Sequence, residues 1–196
     1  MNLPNKLTIF RIVLVPIMVI IPFLKIPGDI FNLPIQNLVI IAIFAIASYT
    51  DHLDGKIARK NNIITTFGKF ADPLADKILV LSAMLMLVEM GYLPAWIPII
   101  VLAREFVVSG YRLIAVEKGG KVIAASIWGK IKTATQMVAI ILAFLDLNYF
   151  GAFIYEELVG YNLVINVLSS YLMLISTIAT VFSGIDYLKG SKELFK

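Results

Sequence analysis

Residues 51–76 read DHLDGKIARKNNIITTFGKFADPLAD, a charged stretch that separates two long apolar segments. Its first two aspartates, Asp51 and Asp54, are three positions apart, and its last two, Asp72 and Asp76, are four positions apart. Residues at either spacing share one face of a helix. We therefore expect two consecutive helices that run antiparallel and bring the two pairs of carboxylates face to face.

Four carboxylates in one small volume limit the chemistry that this stretch supports. In a poorly hydrated site they repel each other, so they either take up protons or bind cations. The chain has no cysteine and a single histidine, and a set of carboxylate oxygens favours Mg²⁺ or Mn²⁺ over zinc. Two such ions held roughly 3.5–4 Å apart suit a displacement at phosphorus. The pattern therefore predicts a site for two divalent ions, Mg²⁺ or Mn²⁺.

Small and basic residues accompany the four aspartates. Gly55, Ala58 and Gly68 leave room for a nucleotide or a phosphate to approach the backbone. Arg59 offers a planar fork of donors that matches phosphate oxygens. These neighbours indicate that the acidic stretch faces a phosphorylated ligand rather than solvent alone.

The composition of the whole chain indicates that this stretch belongs to a membrane protein. Of the 196 residues, 60% are hydrophobic and 15% are charged, and the mean hydropathy is +0.90. These values exclude an ordinary soluble globular domain, whereas a bilayer accepts apolar side chains on the outside of a helical bundle. The net charge of +4 is spread between apolar runs without a basic stripe. We therefore expect membrane lipids and a phosphorylated substrate as partners, and no nucleic acid.

Six segments are long enough to cross the hydrocarbon core, which needs roughly 20 residues per helix. We predict spans at 7–24, 36–59, 70–90, 94–116, 124–145 and 163–187, with glycine, proline or asparagine in the connections. No internal repeat is visible, so we assign residues 1–196 to a single domain. The predicted fold class is all-α, a polytopic membrane protein with a bundle of six transmembrane helices.

The distribution of lysine and arginine predicts the orientation of the bundle. The connections at 25–35, 91–93 and 146–162 contain Lys25 as their only basic residue, and most basic residues outside the spans lie on the opposite side. By the positive-inside rule, both termini are expected in the cytoplasm. The first apolar segment lacks a clear cleavage site, so we interpret it as a retained span.

Further ionisable residues lie inside the predicted spans, at the depth of the aspartates. These residues are Arg11, Arg104, Arg112, Lys130 and Lys132. They are costly in a bilayer and need partners, water or a ligand. A phosphate ligand is one interpretation; pairing of the fourth-span arginines with Glu105 and Glu117, or lysine contacts with anionic headgroups, are others. The sixth span has no such residue before Asp186, so we expect it to be mainly structural.

The acidic stretch resembles the signature of the CDP-alcohol phosphotransferase family at every fixed position: Asp51-x2-Asp54-Gly55-x2-Ala58-Arg59-x8-Gly68-x3-Asp72-x3-Asp76. The resemblance implies a six-helix membrane enzyme that transfers the phosphatidyl group of a CDP-linked lipid to an alcohol and releases CMP. It implies metal binding by the four aspartates, and for Asp76 also the role of general base. It further implies a binding site for the CDP-lipid made by Gly55, Ala58, Arg59, Thr65 and Gly68.

Landmarks outside this stretch are similar to those of bacterial family members that use CDP-diacylglycerol as donor and sn-glycerol 3-phosphate as acceptor. The landmarks are NLPNKLTIFRI at 2–12, GKFADPLADK at 68–77, AREFVVSGYR at 103–112, GKIKT at 129–133 and SGIDY at 183–187. The resemblance implies an acceptor-phosphate site made by Thr8, Arg11, Arg104, Arg112, Lys130 and Lys132. It also implies a homodimer in the bacterial cytoplasmic membrane, with the active site facing the cytoplasm. His52 and Lys56 depart from the aromatic residues common at their variable positions.

Three other functions share parts of this pattern. Another family activity, with inositol phosphate, serine or phosphatidylglycerol as acceptor, remains open, although the basic residues favour a phosphorylated acceptor. A membrane prenyltransferase also uses aspartates and Mg²⁺, but it typically needs more spans and two separated acidic motifs. A cation transporter places acids inside a bundle, but it has no reason to keep Arg59, Arg104 and Arg112 near them.

Overall fold

The computed structural model describes residues 2–60, 66–117 and 127–190. At 3, 52–60, 66, 67, 69, 70, 113, 115–117 and 190 it describes the backbone alone. The described residues form six α-helices: α1 (Leu3–Ile20), α2 (Ile35–Lys60), α3 (Thr66–Glu89), α4 (Trp96–Glu117), α5 (Ile127–Leu145) and α6 (Gly160–Gly190). Two short 3-10 helices, at Ile21–Leu24 and Ala152–Ile154, lie in the connections.

Each predicted span overlaps one of these helices, so the prediction of an all-helical chain is confirmed. The first helix begins at Leu3 rather than at residue 7. Pro4 favours this early start, because its fixed φ suits the first helical turn and its missing N–H costs nothing there. The last helix is also longer than predicted, at Gly160–Gly190 rather than 163–187.

A short hairpin between α1 and α2 was not predicted. Strand β1 (Asp29–Ile30) pairs antiparallel with β2 (Leu33–Pro34). The two turn residues, Phe31 and Asn32, have φ angles of 53° and 62°, as in the type I′ turns that close two-residue hairpins. Such turns usually contain glycine, so the pair Phe-Asn did not indicate one.

Apolar side chains on the outside of the helices indicate a membrane protein. Among the described residues, three segments are long and apolar enough to cross a bilayer: Pro4–Leu24, Ile127–Leu145 and Gly160–Lys189. Every helix also exposes large apolar side chains, among them Ile9, Ile46, Leu85, Phe106, Val138 and Val164. Lipid accepts such side chains as readily as a protein core does.

The apolar core and the charged residues occupy different halves of the bundle. The core contains Met18, Ile40, Phe44, Leu79, Leu87, Ile140 and Phe144. On α2 these core residues precede Asp51, on α3 they follow Asp76, and on α5 they follow Lys132. Because α1 packs against α2 and α3 while α5 and α4 pack against α6, the charged positions of several helices meet beyond one end of this core.

Candidate active site

Helix α1 contacts an aspartate of α3 through a buried hydroxyl. The Oγ1 of Thr8 donates a hydrogen bond to Oδ1 of Asp72 at 2.5 Å, and it lies 3.1 Å from the carbonyl oxygen of Pro4 one turn earlier. Thr8 is fully buried. The hydroxyl therefore fixes one oxygen of Asp72 relative to α1.

One turn further along α1, a buried arginine contacts an aspartate of α2. The Nη1 of Arg11 lies 2.8 Å from Oδ1 of Asp51, and the exposed fractions of the two side chains are 0% and 39%. The Nε of Arg11 also donates to the carbonyl oxygen of Ala47 at 3.3 Å. A buried guanidinium needs such compensation, since an unpaired buried charge is strongly destabilising. Thr8 and Arg11, predicted near the acceptor phosphate, thus both contact aspartates of the acidic stretch.

Asp76 lies where charges from several helices converge. Its carboxylate interacts electrostatically with Asp51 of α2, Arg11 of α1, Lys132 of α5 and Glu105 of α4. It also lines a cavity between α3, α4 and α5. Three of the four predicted metal ligands, Asp51, Asp72 and Asp76, have described side chains, and of these three Asp76 is the one that lines the cavity.

The remaining predicted ligands and CDP-lipid contacts are only partly described. Asp54, Gly55, Ala58 and Arg59 lie in α2, but their side chains are outside the description. Thr65 lies outside the described residues altogether, whereas Gly68 is buried in the first turns of α3. The roles predicted for these residues stay predictions.

The donor atoms suit a hard divalent ion in their chemistry. Asp51, Asp72 and Asp76 offer carboxylate oxygens, which Mg²⁺ and Mn²⁺ prefer. Among the side chains that the structure describes, no group of three or more aspartate, glutamate, histidine or cysteine residues is arranged to hold a metal ion. The fourth predicted ligand, Asp54, is not among those side chains, so the two-ion site also stays a prediction.

A second charged group surrounds Glu105 on α4. The Nζ of Lys132 on α5 lies 2.5 Å from Oε1 of Glu105, and Nη1 of Arg104 lies 2.9 Å from the same oxygen. The Nζ of Lys77 on α3 lies 3.6 Å from Oε2 and donates to Oγ of Ser109. One carboxylate therefore joins cations from three helices. The pairing of Arg104 with Glu105, one of the alternatives left open, is observed.

Helix α6 holds the two arginines of α4. Arg104 Nη2 donates to Oγ of Ser183, and Arg112 Nη2 donates to the hydroxyl of Tyr187 at 2.7 Å. The guanidinium carbons of Arg104 and Arg112 lie 5.8 Å and 5.5 Å from the centre of the Tyr187 ring, within the range of cation–π attraction. The sixth helix, expected to be mainly structural, therefore contributes two polar residues to the site, Ser183 before Asp186 and Tyr187 directly after it.

Acidic and basic groups from three helices line the same cavity. Its volume is about 330 Å³, at the lower end of the roughly 300–1,000 Å³ typical of small-molecule sites. Asp76, Lys77, Glu105 and Lys132 line its polar part, and apolar residues such as Leu102 line the rest. Among the other predicted acceptor residues, Lys130 is exposed. Lys132 and Asp76 thus line one cavity, and they also interact electrostatically.

Four residues of this arrangement were not predicted as functional: Glu105, Ser109, Ser183 and Tyr187. Glu105 directly follows Arg104 inside an apolar span, and an acid at that depth is a signal for a functional group. Ser183 and Tyr187 are four positions apart, hence on one helix face, but neither is charged. No feature of the sequence alone marked them as partners of the arginines.

Comparison with known proteins identifies the family. A family model for CDP-alcohol phosphatidyltransferases matches residues 1–182. A protein of Bacillus subtilis (strain 168), named CDP-diacylglycerol–glycerol-3-phosphate 3-phosphatidyltransferase, is 40% identical over 202 residues, covering 100% of this chain and 97% of its own length. The chain belongs to the CDP-alcohol phosphatidyltransferase family, as its acidic signature predicted.

Other relatives carry the same name. The protein of Rickettsia bellii (strain RML369-C) is 36% identical over 196 residues, which are 99% of this chain and 97% of the relative. That of Haemophilus influenzae (strain ATCC 51907 / DSM 11121 / KW20 / Rd) is 38% identical over 197 residues, which are 97% of this chain and 94% of the relative. The name common to these relatives specifies both a donor, CDP-diacylglycerol, and an acceptor, glycerol 3-phosphate.

Proposed function

We propose that this chain transfers the phosphatidyl group of CDP-diacylglycerol to sn-glycerol 3-phosphate, which yields phosphatidylglycerophosphate and CMP. The observation that supports this best is the shared cavity, which both Asp76 and Lys132 line. An acceptor with both a phosphate and a reactive hydroxyl needs a cation and a proton acceptor side by side. The names of the relatives agree with this activity.

The aspartates of the acidic stretch activate the acceptor and bind the diphosphate of the donor. Asp76 takes the proton of the acceptor's C1 hydroxyl as this oxygen attacks the β-phosphorus, and the bond from this phosphorus to the CMP oxygen breaks. Asp51, Asp54, Asp72 and Asp76 are the residues that would hold two Mg²⁺ or Mn²⁺ ions. When bound, such ions neutralise diphosphate charge and stabilise the attacking and leaving oxygens. The hydrogen bond from Thr8 and the ion pair with Arg11 keep Asp72 and Asp51 in position.

Lysine and arginine residues of α4 and α5 bind the acceptor's phosphate. Lys132 and Arg104 supply charge-assisted hydrogen bonds, which are stronger than those between neutral groups. Arg112 and Lys130 extend the positive charge around them. On the donor side, Arg59 and Thr65 contact the CDP-lipid, and the small residues Gly55, Ala58 and Gly68 leave space for its phosphates.

The membrane arrangement is part of the proposal. All six helices cross the bacterial cytoplasmic membrane as one domain, both termini and the active site face the cytoplasm, and two copies form a homodimer. The lysine and arginine distribution supports the orientation, and the apolar outer surfaces of all six helices support the six spans. Lipid substrate and product then exchange laterally with the bilayer.

CMP release by the full chain in detergent micelles containing CDP-diacylglycerol tests this function. sn-Glycerol 3-phosphate, inositol phosphate, serine and phosphatidylglycerol are compared as acceptors, with Mg²⁺, with Mn²⁺, and with a chelator. We expect release to depend on glycerol 3-phosphate and on a divalent ion. Equal or faster release with another acceptor would overturn the proposed substrate, and undiminished release in the chelator would overturn the metal requirement.

A further inference from the structure

Glu105 is an acid at the centre of a group of bases. Its two oxygens lie within 2.5–3.6 Å of the charged nitrogens of Lys132, Arg104 and Lys77. Its own side chain is 17% exposed. These three cations come from α5, α4 and α3, so one carboxylate sets the relative positions of charges on three helices.

The charges around Glu105 do not cancel. Three cations share one carboxylate, so the group keeps an excess of positive charge that an anion can neutralise. Lys77 and Arg104 also donate to the hydroxyls of Ser109 and Ser183. Among the described contacts, Lys132 donates to Glu105 alone, which occupies one of the three hydrogens on its ammonium group.

The geometry points to Glu105 as a positioning residue that holds Lys132, which lines the cavity, and the neighbouring Arg104 in place for the phosphate of the acceptor. This inference rests on the proposed function. A lysine side chain loses rotamer entropy when it is held in one geometry, and a partner that is already in place removes much of that cost before the substrate arrives. Because Glu105 touches the cations rather than the reacting atoms, its loss affects binding of the acceptor and not the chemical step.

Two other roles for Glu105 predict different results. If Glu105 only joined α3, α4 and α5, its loss would lower thermal stability and impair donor and acceptor binding alike. If it competed with the acceptor's phosphate for the cations, its loss would lower KM for the acceptor. Positioning predicts a higher KM for the acceptor, with kcat and KM for the donor close to those of the unsubstituted protein, even where thermal stability falls because Lys132 loses its buried partner.

The experiment compares the full chain with Glu105→Gln and Glu105→Ala in CDP-diacylglycerol micelles, and measures KM and kcat for glycerol 3-phosphate. Glu105→Gln keeps the shape and one acceptor oxygen, whereas Glu105→Ala removes both. Glu89→Gln, the same change at an exposed glutamate of α3, is the matched control. We expect KM to rise about tenfold or more in the alanine variant, as for loss of a charged hydrogen bond, and less in the glutamine variant.

An unchanged or lower acceptor KM in Glu105→Gln and Glu105→Ala overturns the inference, as does an equal rise in KM for both substrates. If the alanine variant does not fold, the glutamine variant decides alone by the same criteria. A failure of the proposed function is recognised separately, because the unsubstituted protein would then show no CMP release that depends on glycerol 3-phosphate.

Discussion

Two acids near opposite ends of α5, the buried Asp146 after its last residue and the half-buried Glu105 of α4 beside its first turns, differ in the kind of partner that satisfies them. Asp146 follows the C-terminal end of α5 and is 3% exposed. Its Oδ2 accepts hydrogen bonds from Asn166 at 2.7 Å and Ser169 at 2.8 Å. Its Oδ1 accepts two from Asn148, through the backbone N–H at 3.1 Å and the side-chain amide at 3.0 Å. Neutral donors thus form hydrogen bonds to both oxygens of the carboxylate.

Glu105, which contacts the opposite half of α5, has charged partners beside a cavity. Its neighbours Lys132 and Lys77 line that cavity with it, so both cations and carboxylate are available to a ligand. Asp146 is held by neutral donors that also tie the α5–α6 connection to α6, since Asn166 donates to the carbonyl of Tyr149 at 3.0 Å. The comparison indicates that burial alone does not distinguish a functional acid from a structural one. A functional acid has partners that can still donate hydrogen bonds to a ligand.

The first prediction concerns Asp72, in the half of the bundle that contains the charged residues, and has the largest expected effect. Asp72→Asn removes a charge that the proposed metal site needs, and we expect the rate of CMP release to fall by about a thousandfold or more, since metal ions contribute several kcal/mol to such transition states. Thermal unfolding should stay near that of the unsubstituted chain, because the amide oxygen can still accept from Thr8. CMP release at the normal rate in a folded Asp72→Asn protein would contradict the assignment.

The contrast between the two ends also indicates what a single sequence can predict. Helix positions followed from the lengths of apolar runs, and so did the placement of Asp72 and Asp76 in one helix. Contacts between helices, such as those from Thr8 to Asp72 and from Tyr187 to Arg112, depend on how each helix is rotated and packed. Spacing within one element carries no information on that rotation, so these partners were not predicted.

The partners of the two acids, Asp146 and Glu105, could not be predicted for the same reason. Asp146 follows one apolar segment and Glu105 lies within another. From the sequence alone, Asp146 was assigned to a connection and Glu105 was considered only as a possible ion-pair partner of an arginine. Their partners Asn166 and Lys132 lie 20 and 27 positions away. Whether a carboxylate meets amides or ammonium groups is decided by packing between helices, and only the structure describes that packing.

The second prediction concerns Asp146, the acid whose described partners are neutral donors. Asp146→Asn replaces an acceptor oxygen by an amide that faces other donors, and we expect the free energy of unfolding to fall by about 1–3 kcal/mol, the cost of leaving buried polar groups unsatisfied. Thermal unfolding followed by tryptophan fluorescence measures this loss, while kcat per folded molecule should not change. Asp29→Asn, the same change at an exposed aspartate of β1, is the control. Unaltered stability together with lost activity would reverse the roles assigned to the two ends.

The third prediction has the smallest effect and concerns how α6 supports the functional end. Tyr187→Phe removes the hydroxyl that accepts from Arg112 but keeps the ring that both guanidinium groups approach. We expect KM for glycerol 3-phosphate to rise about two- to tenfold, which corresponds to the roughly 0.5–1.5 kcal/mol of one hydrogen bond. Tyr171→Phe, at an exposed tyrosine of the same helix, should leave KM unchanged.

Tyr187→Leu extends this test by separating the hydroxyl from the ring. It removes the cation–π contacts as well, each worth about 0.5–2 kcal/mol, so its KM should exceed that of Tyr187→Phe. Equal values in the two variants would mean that the ring contributes nothing to holding the arginines. A KM of Tyr187→Phe equal to that of the unsubstituted chain would mean that the hydroxyl of Tyr187 contributes nothing to holding Arg112, and the support assigned to α6 would then rest on the ring and on Ser183.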